Sequence, residues 1–140
     1  MSGRYRILGE LGSGTFGTVY RAEDGATGHF VAVRLLPRGL ASASAAAQGF
    51  PRTSGSLPSL SAMHPALLHV LEYGQTDDGQ LFVVTELVTG RSLSTWLSSA
   101  PLDVAESLSW AIELGAALET LHNTGYVGTY TVAFGPAMWC

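Results

Sequence analysis

The segment Gly12-Ser13-Gly14-Thr15-Phe16-Gly17-Thr18-Val19 decides how the first half of this sequence folds. It joins two short apolar-rich runs, Tyr5 to Leu11 and Thr18 to Ala22, which have the composition of β-strands. A dinucleotide-binding loop with the same Gly-x-Gly-x-x-Gly spacing leads from a strand into a helix, but here the glycines connect strand to strand. We therefore predict a hairpin with a glycine-rich connection formed by residues 12–17.

Apolar runs predict three further strands. After a turn at residues 23–28, His29 to Leu36 forms a nearly continuous apolar strand, and Leu67 to Tyr73 and Gln80 to Glu86 form another pair. The connection Thr76-Asp77-Asp78-Gly79 contains Asp-Gly, a strong hairpin signal. Its two aspartates are interpreted as turn residues and not as metal ligands.

Between the third and fourth strands lies a segment of different composition. Residues 39–62 are rich in alanine, serine, glycine and proline and contain no aspartate or glutamate. Ala41 to Gln48 favours a short, poorly specified helix, because alanine is the best helix former, and Pro51 and Pro58 prevent its continuation.

Two helices are predicted after the fifth strand. Ser92 is a suitable N-cap for a short helix that Pro101 stops. Asp103, with Glu106 three residues later, opens a longer helix that continues to His122. The apolar stripe predicted for this longer helix consists of Leu108, Ile112, Gly115, Leu118 and Leu121.

Composition excludes several classes of function. The chain has 140 residues and a formal net charge of −4, and its seven basic residues are all arginines. An acidic, lysine-free chain is poorly suited to bind a phosphate backbone, so no nucleic-acid partner is expected. Mechanisms that need a lysine ammonium, such as Schiff-base chemistry, are excluded as well.

The cysteine content and the absence of long apolar runs predict the compartment. The single cysteine is Cys140, so no internal disulfide can form and a reducing cytoplasm is expected. The N-terminal sequence has no apolar run typical of a signal peptide, and no stretch is long and apolar enough for a membrane span.

Several short motifs follow the glycine-rich motif in an ordered series. They are Val31-Ala32-Val33-Arg34, His64-Pro65, Val84-Thr85-Glu86-Leu87-Val88 and Ala117-Leu118-x-x-Leu121-His122-x-x-Gly125. In this order, and with the Gly-x-Gly-x-x-Gly-x-Val motif between two strands, residues 4–127 resemble bacterial Ser/Thr protein kinases of the eukaryotic-like type. The resemblance implies an α+β fold: a kinase-like N-lobe with a five-stranded antiparallel sheet and a degraded helix C, followed by two helices of an incomplete C-lobe.

The resemblance also implies a site for ATP. The glycines would allow backbone N–H groups to approach the phosphates, two apolar residues would sandwich the adenine, and the backbone of the hinge would bind the adenine edge. The implied phosphate-covering residues are Gly12, Gly14 and Gly17, the adenine-contacting residues are Val19 and Ala32, the hinge residues are Glu86 and Val88, the gatekeeper is Thr85, and Arg34 occupies the position of the phosphate-binding lysine.

Two departures from the family pattern affect the predicted chemistry. Arg34 replaces the lysine of the third strand, and the helix glutamate that pairs with this lysine is expected near Gly55, in the segment without acidic residues. Arginine keeps the charge, but its planar guanidinium does not replace a compact ammonium. A structural interpretation is also open, in which Arg34 is a half-exposed strand arginine on a degenerate site.

The catalytic loop of that family, His-Arg-Asp-x-Lys-Pro-x-x-Asn, is expected directly after Gly125. Tyr130 stands at the place of the catalytic aspartate and Gly135 at the place of the magnesium-binding asparagine. With neither base nor metal ligand, no catalytic residue, no magnesium site and no phosphoryl transfer are expected. Back-translated with GC-rich codons and read two bases later, residues 130–140 give His-x-x-Leu-Arg-Pro-x-Asp/Asn-Val-Val, which suggests a shift of the reading frame around residues 125–130.

The predicted organisation is a kinase-like N-lobe and hinge at residues 4–88, the start of a helical C-lobe at 89–127 and an aberrant tail at 128–140. The predicted function is that of a catalytically inactive pseudokinase fragment that binds ATP weakly and has a signalling or scaffold role with a protein partner. Two alternatives stay open: a non-functional, frame-shifted product and a nucleotide-binding regulatory module. The apolar helix faces also predict exposed hydrophobic patches and association in solution.

Overall fold

A computed structural model describes residues 3–14, 16–38, 62–99, 101 and 103–123. The strands are β1 (Tyr5–Gly14), β2 (Gly17–Asp24), β3 (Phe30–Leu35), β4 (Val70–Gln75) and β5 (Leu81–Glu86), and the helices are α1 (Leu93–Ser99) and α2 (Val104–Asn123). The helix predicted at residues 41–48, the position near Gly55 and the tail with Tyr130 and Gly135 lie outside the described residues.

The five strands form one antiparallel sheet in the order β1-β2-β3-β5-β4. One face of the sheet carries a cluster of buried apolar side chains from β2, β3 and β5, against which Tyr5 and Leu35 pack. The buried members are Ala22, Val31, Val33, Phe82 and Val84. The predicted α+β architecture, a five-stranded antiparallel sheet followed by two helices, is confirmed.

The glycine-rich motif lies mostly within strands and not in a long connection, so that part of the prediction was wrong. β1 continues to Gly14, β2 begins at Gly17, and Gly12 pairs with Val19. The backbone of Gly17 has φ +101°, a conformation that glycine adopts without steric cost. The hairpin is therefore tighter than the sequence indicated, and the β1–β2 register is irregular between Ile7 and Gly9 and between Glu10 and Gly12.

The predicted start of the fourth strand at Leu67 was also wrong. Residues before Val70 form a turn in which the Leu67 N–H donates to the carbonyl of His64 at 3.0 Å. The Nδ1 atom of His64 accepts a hydrogen bond from the Ala66 N–H at 3.1 Å, which stabilises the same turn. These local hydrogen bonds satisfy backbone groups that a strand would offer to a neighbour.

The β4–β5 connection is the turn that Asp-Gly predicted. The N–H of Thr76 donates to the carbonyl of Gln80 at 2.8 Å, and the Gly79 N–H donates to the carbonyl of Thr76 at 2.9 Å. The Asp78 carboxylate accepts from the Thr76 hydroxyl and pairs with Arg38, and the hydrogen bond from Thr76, followed by that from Arg38, lowers the pKa of Asp78. Asp78 thus stabilises the turn through its contacts with Thr76 and Arg38.

The two helices begin where their capping residues predict. The Ser92 hydroxyl accepts a hydrogen bond from the Thr95 N–H at 3.1 Å, as expected of an N-cap. In α2 the predicted stripe is only partly buried: Leu121 is 3% exposed, whereas Leu108 is 59% and Ile112 is 71% exposed. Helical periodicity identifies the apolar face of a helix, but it does not tell how far along that face a neighbour extends.

The chain divides into two compact units, Met1–Pro58 with His69–Val88 and Ser59–Leu68 with Thr89–Cys140. The first unit contains the five strands, and the second contains α1 and α2. Neither described helix combines the length and the apolar character that crossing a membrane would require.

Candidate functional site

Strand register places the predicted site residues in two neighbouring rows on one face of the sheet. In the first row, Gly12 pairs with Val19, Val19 with Arg34, and Arg34 with Val83. Directly opposed residues of antiparallel strands project to the same face. The half-buried Arg34 therefore stands in the middle of a row that starts at the glycine-rich strand.

The second row lies two residues away on the same face, because side chains on one strand return to a face every second residue. Here Ala32 pairs with Arg21 on one side and with Thr85 on the other. Ala32 is 4% exposed and Thr85 is 8% exposed, and Val19 in the first row is 4% exposed. The apolar residues predicted to sandwich adenine thus expose little surface.

Glu86 projects to the other face, because it pairs with Val31 and not with Ala32. Its N–H donates to the carbonyl of His69 at 3.0 Å, and its carboxylate accepts from the His69 N–H at 2.9 Å. The Thr85 hydroxyl lies 3.2 Å from the Glu86 carbonyl oxygen and donates to it. Glu86, the last residue of β5, is therefore held by two hydrogen bonds to the backbone of His69, one from its own backbone N–H and one to its carboxylate.

Val88 follows β5 outside any helix or strand and is half exposed. The role predicted for Val88 is to bind the adenine edge through its backbone N–H, and the exposure of its side chain does not bear on that role. The structure thus brings Gly12, Val19, Ala32, Arg34 and Thr85 onto one face. Glu86 ends β5 on the other face, and Val88 follows two residues later.

Gly14 and Gly17 of the motif differ in whether the fold requires a glycine. A Cβ built on Gly17 would lie 1.9 Å from the carbonyl oxygen of Leu35, so the fold itself excludes a side chain there. Gly14 has no positive φ, and no atom of the described neighbours lies within 4 Å of its hypothetical Cβ. Within the described residues, folding alone therefore accounts for glycine at position 17 but not at position 14.

Comparison with known proteins assigns the family. The model of the protein kinase domain matches residues 5–128. The chain is 31% identical over 127 residues to the serine/threonine-protein kinase pkn2 of Myxococcus xanthus and 30% identical over 128 residues to PrkC of Bacillus subtilis. Each alignment covers 91% of this chain, but only 15% of pkn2 and 19% of PrkC.

The structural comparison agrees with the sequence comparison. The crystal structure of the PknI kinase domain of Mycobacterium tuberculosis superimposes with a TM-score of 0.75 at 25% identity. The superposition covers 88% of this chain and 49% of the PknI chain. This chain belongs to the protein kinase family.

Within that family the chain corresponds to the N-lobe and the start of the C-lobe, and it spans about half the length of the solved PknI kinase domain. The kinase family has a lysine on its third strand. The third strand of this chain carries Arg34, which was predicted from the sequence to stand at the position of that lysine. Among the described residues, no group of three or more histidine, cysteine, aspartate or glutamate side chains is arranged to hold a metal ion.

Two features of this kinase-family domain were not predicted from the sequence. One is the contact of His69 with Glu86, and the other is a polar cluster formed by Arg4, Tyr5, Asp24 and Glu72. The partners in these contacts are 17 to 68 residues apart in the chain, so no local pattern indicates them.

Proposed function

We propose that this kinase-family domain is catalytically inactive, binds ATP weakly at the face that carries Arg34, and acts as a signalling or scaffold module with a protein partner. The observation that carries the proposal is the row of Gly12, Val19, Arg34 and Val83, which centres an arginine where the family uses a lysine. In this proposal residues 4–88 are the N-lobe and hinge, 89–127 begin the C-lobe, and 128–140 are an aberrant tail.

Weak nucleotide binding is supported by the identity and the burial of the site residues. Arginine supplies a positive charge for the phosphates, but its planar, forked donors do not match the geometry of the lysine ammonium. Val19 and Ala32 are each 4% exposed, which leaves little apolar surface for a base. Gly14, which the described fold does not require to be glycine, supports backbone approach of phosphate groups.

Inactivity is supported by the residues at the catalytic positions of the sequence. Tyr130 replaces the aspartate that accepts the proton of the substrate hydroxyl, and Gly135 replaces the asparagine that binds magnesium. The Tyr130 phenol is not a carboxylate base, and Gly135 has no side-chain oxygen to replace that of the asparagine. ATP is therefore proposed as a ligand and not as a phosphate donor, and magnesium is not proposed as a bound ion.

The decisive experiment is a thermal melt of the full chain with millimolar ATP, with and without Mg²⁺. A ligand that binds only the folded state stabilises it by RT ln(1 + [L]/Kd), so millimolar binding gives a rise in Tm that grows with ATP concentration and does not depend on Mg²⁺. A Tm that does not change at any ATP concentration tested would contradict nucleotide binding and would leave only the scaffold role.

Glycine variants supply a matched control for the same melt. Gly14→Ala places a methyl group where the phosphates are proposed to approach, whereas Gly9→Ala changes a glycine of the same strand that also has open space around its Cβ position. Gly14→Ala should lose the ATP-induced shift, and Gly9→Ala should keep it. Equal shifts in both variants would contradict the proposed phosphate contact.

A transfer assay tests inactivity separately. Incubation of the chain with γ-labelled ATP, Mg²⁺ and a basic protein substrate should transfer no label to the substrate or to the chain itself. Arg34→Lys should increase the ATP-induced rise in Tm, because it restores the compact ammonium, and should still transfer no label. Label transfer by either protein would contradict the assignment of an inactive domain.

A further inference from the structure

Side chains connect the two edge strands of the sheet. In the order β1-β2-β3-β5-β4, strands β1 and β4 lie at opposite edges with three strands between them. Nevertheless, Nη1 of Arg4 donates to Oε2 of Glu72 at 2.7 Å, and the Tyr5 hydroxyl donates to the same oxygen at 2.5 Å. The sheet is therefore curled strongly enough to bring its edges within side-chain reach.

Arg4 also binds the turn between β2 and β3. Its Nε and Nη2 donate to the two carboxylate oxygens of Asp24 at 2.9 and 3.0 Å, while the Gly25 N–H donates to the carbonyl of Arg4 at 2.7 Å. The Asp24 carboxylate also accepts from the N–H of Ala26 and the hydroxyl of Thr27. Asp24 is 5% exposed, so its charge is held in a largely buried position by these donors.

Tyr5 connects this polar cluster to the apolar core. Its ring is half buried and meets the ring of Phe82 edge to face, with the centroids 6.5 Å apart. The guanidinium of Arg4 lies 5.1 Å from the centroid of the Tyr5 ring. A movement of Tyr5 would therefore disturb both the hydrogen bond to β4 and the packing of Phe82.

We propose that Arg4, Tyr5, Asp24 and Glu72 form an edge clasp that couples the position of strand β1 to that of strand β4. At its other end β1 carries Gly12 and Gly14, so the clasp restrains the strand that bears the glycine-rich motif. This conformational role is independent of nucleotide binding. It differs from that of an ordinary surface ion pair, because a forked arginine and two carboxylates connect three elements.

The structure contains a matched control for the clasp. Arg6 and Glu23 form an ion pair between the neighbouring strands β1 and β2, and the Arg6 side chain is 73% exposed. This pair joins strands that already share backbone hydrogen bonds. Its removal should change little, because exposed ion pairs contribute little to stability.

Amide hydrogen exchange of the full chain tests the clasp. Tyr5→Phe removes one hydroxyl and keeps the ring, and Glu72→Ala removes the acceptor shared by both donors. Tyr5→Phe should accelerate exchange of the paired amides of both β1 and β4 by about fivefold, for the loss of one net hydrogen bond. Glu72→Ala should accelerate the same amides more, because it removes the hydrogen bonds from both Arg4 and Tyr5. Exchange in the double variant Tyr5→Phe/Glu72→Ala should be little faster than in Glu72→Ala alone, because the Tyr5 hydroxyl has already lost its partner in that variant.

The distant strand is the informative readout. Acceleration in β4 caused by Tyr5→Phe, a change in β1, would support the coupling, and Glu23→Ala should not reproduce it. Acceleration confined to the strand that carries the substitution, additive effects in the double variant, or an equal effect of Glu23→Ala would overturn the proposal. Tyr5→Phe keeps the inference testable if Glu72→Ala does not fold, because it retains the Phe82 contact.

Discussion

The carbonyl oxygen of Leu35 lies 1.9 Å from the position that a Cβ on Gly17 would occupy. Gly17 opens β2 and Leu35 closes β3, so this contact sets how closely the glycine-rich hairpin approaches its neighbouring strand. The restriction arises from backbone, which cannot move aside as a flexible side chain can. Gly17 is thus a folding requirement of the motif.

Gly17→Ala should destabilise the protein by about 3 kcal/mol, because a positive φ and an overlap with backbone are both unfavourable for alanine. Chemical denaturation measures the loss. Gly14→Ala is the control and should change stability by less than about 1 kcal/mol, since nothing described lies near its Cβ position. An equal loss of stability in the two variants would show that the contact with Leu35 is not the reason for glycine at position 17.

The Ser92 cap should contribute measurably to α1. Ser92→Ala removes the acceptor of the Thr95 N–H and should lower stability by about 1 kcal/mol. Ser98→Ala is a fitting comparison, because the Ser98 hydroxyl bonds the Ser94 carbonyl within the helix and does not cap an end. A loss for Ser98→Ala as large as that for Ser92→Ala, in denaturation experiments, would argue against the cap.

Stability should fall in acid partly through Asp24. Hydrogen bonds from Arg4, and then from the Ala26 N–H, hold the pKa of Asp24 well below its usual range. Because the folded state binds this proton less readily, the stabilisation is present above the unfolded pKa of about 3.9 and is lost as the pH falls below it. Asp24→Asn should flatten the decrease in Tm below about pH 4. An unchanged decrease in this variant would contradict the lowered pKa of Asp24.

Tyr5 should make the protein less stable at alkaline pH. Burial, followed by the hydrogen bond to Glu72, raises the pKa of the Tyr5 phenol. The folded state therefore retains this proton after the unfolded state has lost it, and the stabilisation decreases as the pH rises above about 10. Tyr5→Phe should reduce the slope of Tm against pH in this range. An unchanged slope would contradict the raised pKa.

The exposed apolar residues of α2 should promote association. Val104, Leu108 and Ile112 recur every fourth residue and are 72%, 59% and 71% exposed. Such a stripe favours contact with other apolar surfaces. Light scattering should show association that Ile112→Gln decreases and Glu119→Gln, on an exposed polar position, does not. A monodisperse monomer would contradict this expectation.

Much of the fold follows from local sequence patterns. Alternating or continuous apolar runs predicted the five strands, Asp-Gly predicted the β4–β5 turn, and Ser92 predicted the start of α1. The errors fell at boundaries, as at Leu67, where turn hydrogen bonds replaced strand pairing. Arg34 was predicted as a candidate site residue from the motif Val31-Ala32-Val33-Arg34, and the strand register then placed it opposite Val19.

The sequence by itself determined the succession of five strands and two helices along the chain, the helix caps and the arginine at position 34, because these depend on residue identity and on neighbours in the chain. Only the tertiary structure decided that Leu35 excludes a side chain at Gly17 and that His69 forms hydrogen bonds with Glu86. It also decided that Tyr5 on one edge strand donates a hydrogen bond to Glu72 on the other. These contacts join distant residues, and it is the curl and order of the sheet that bring such residues together.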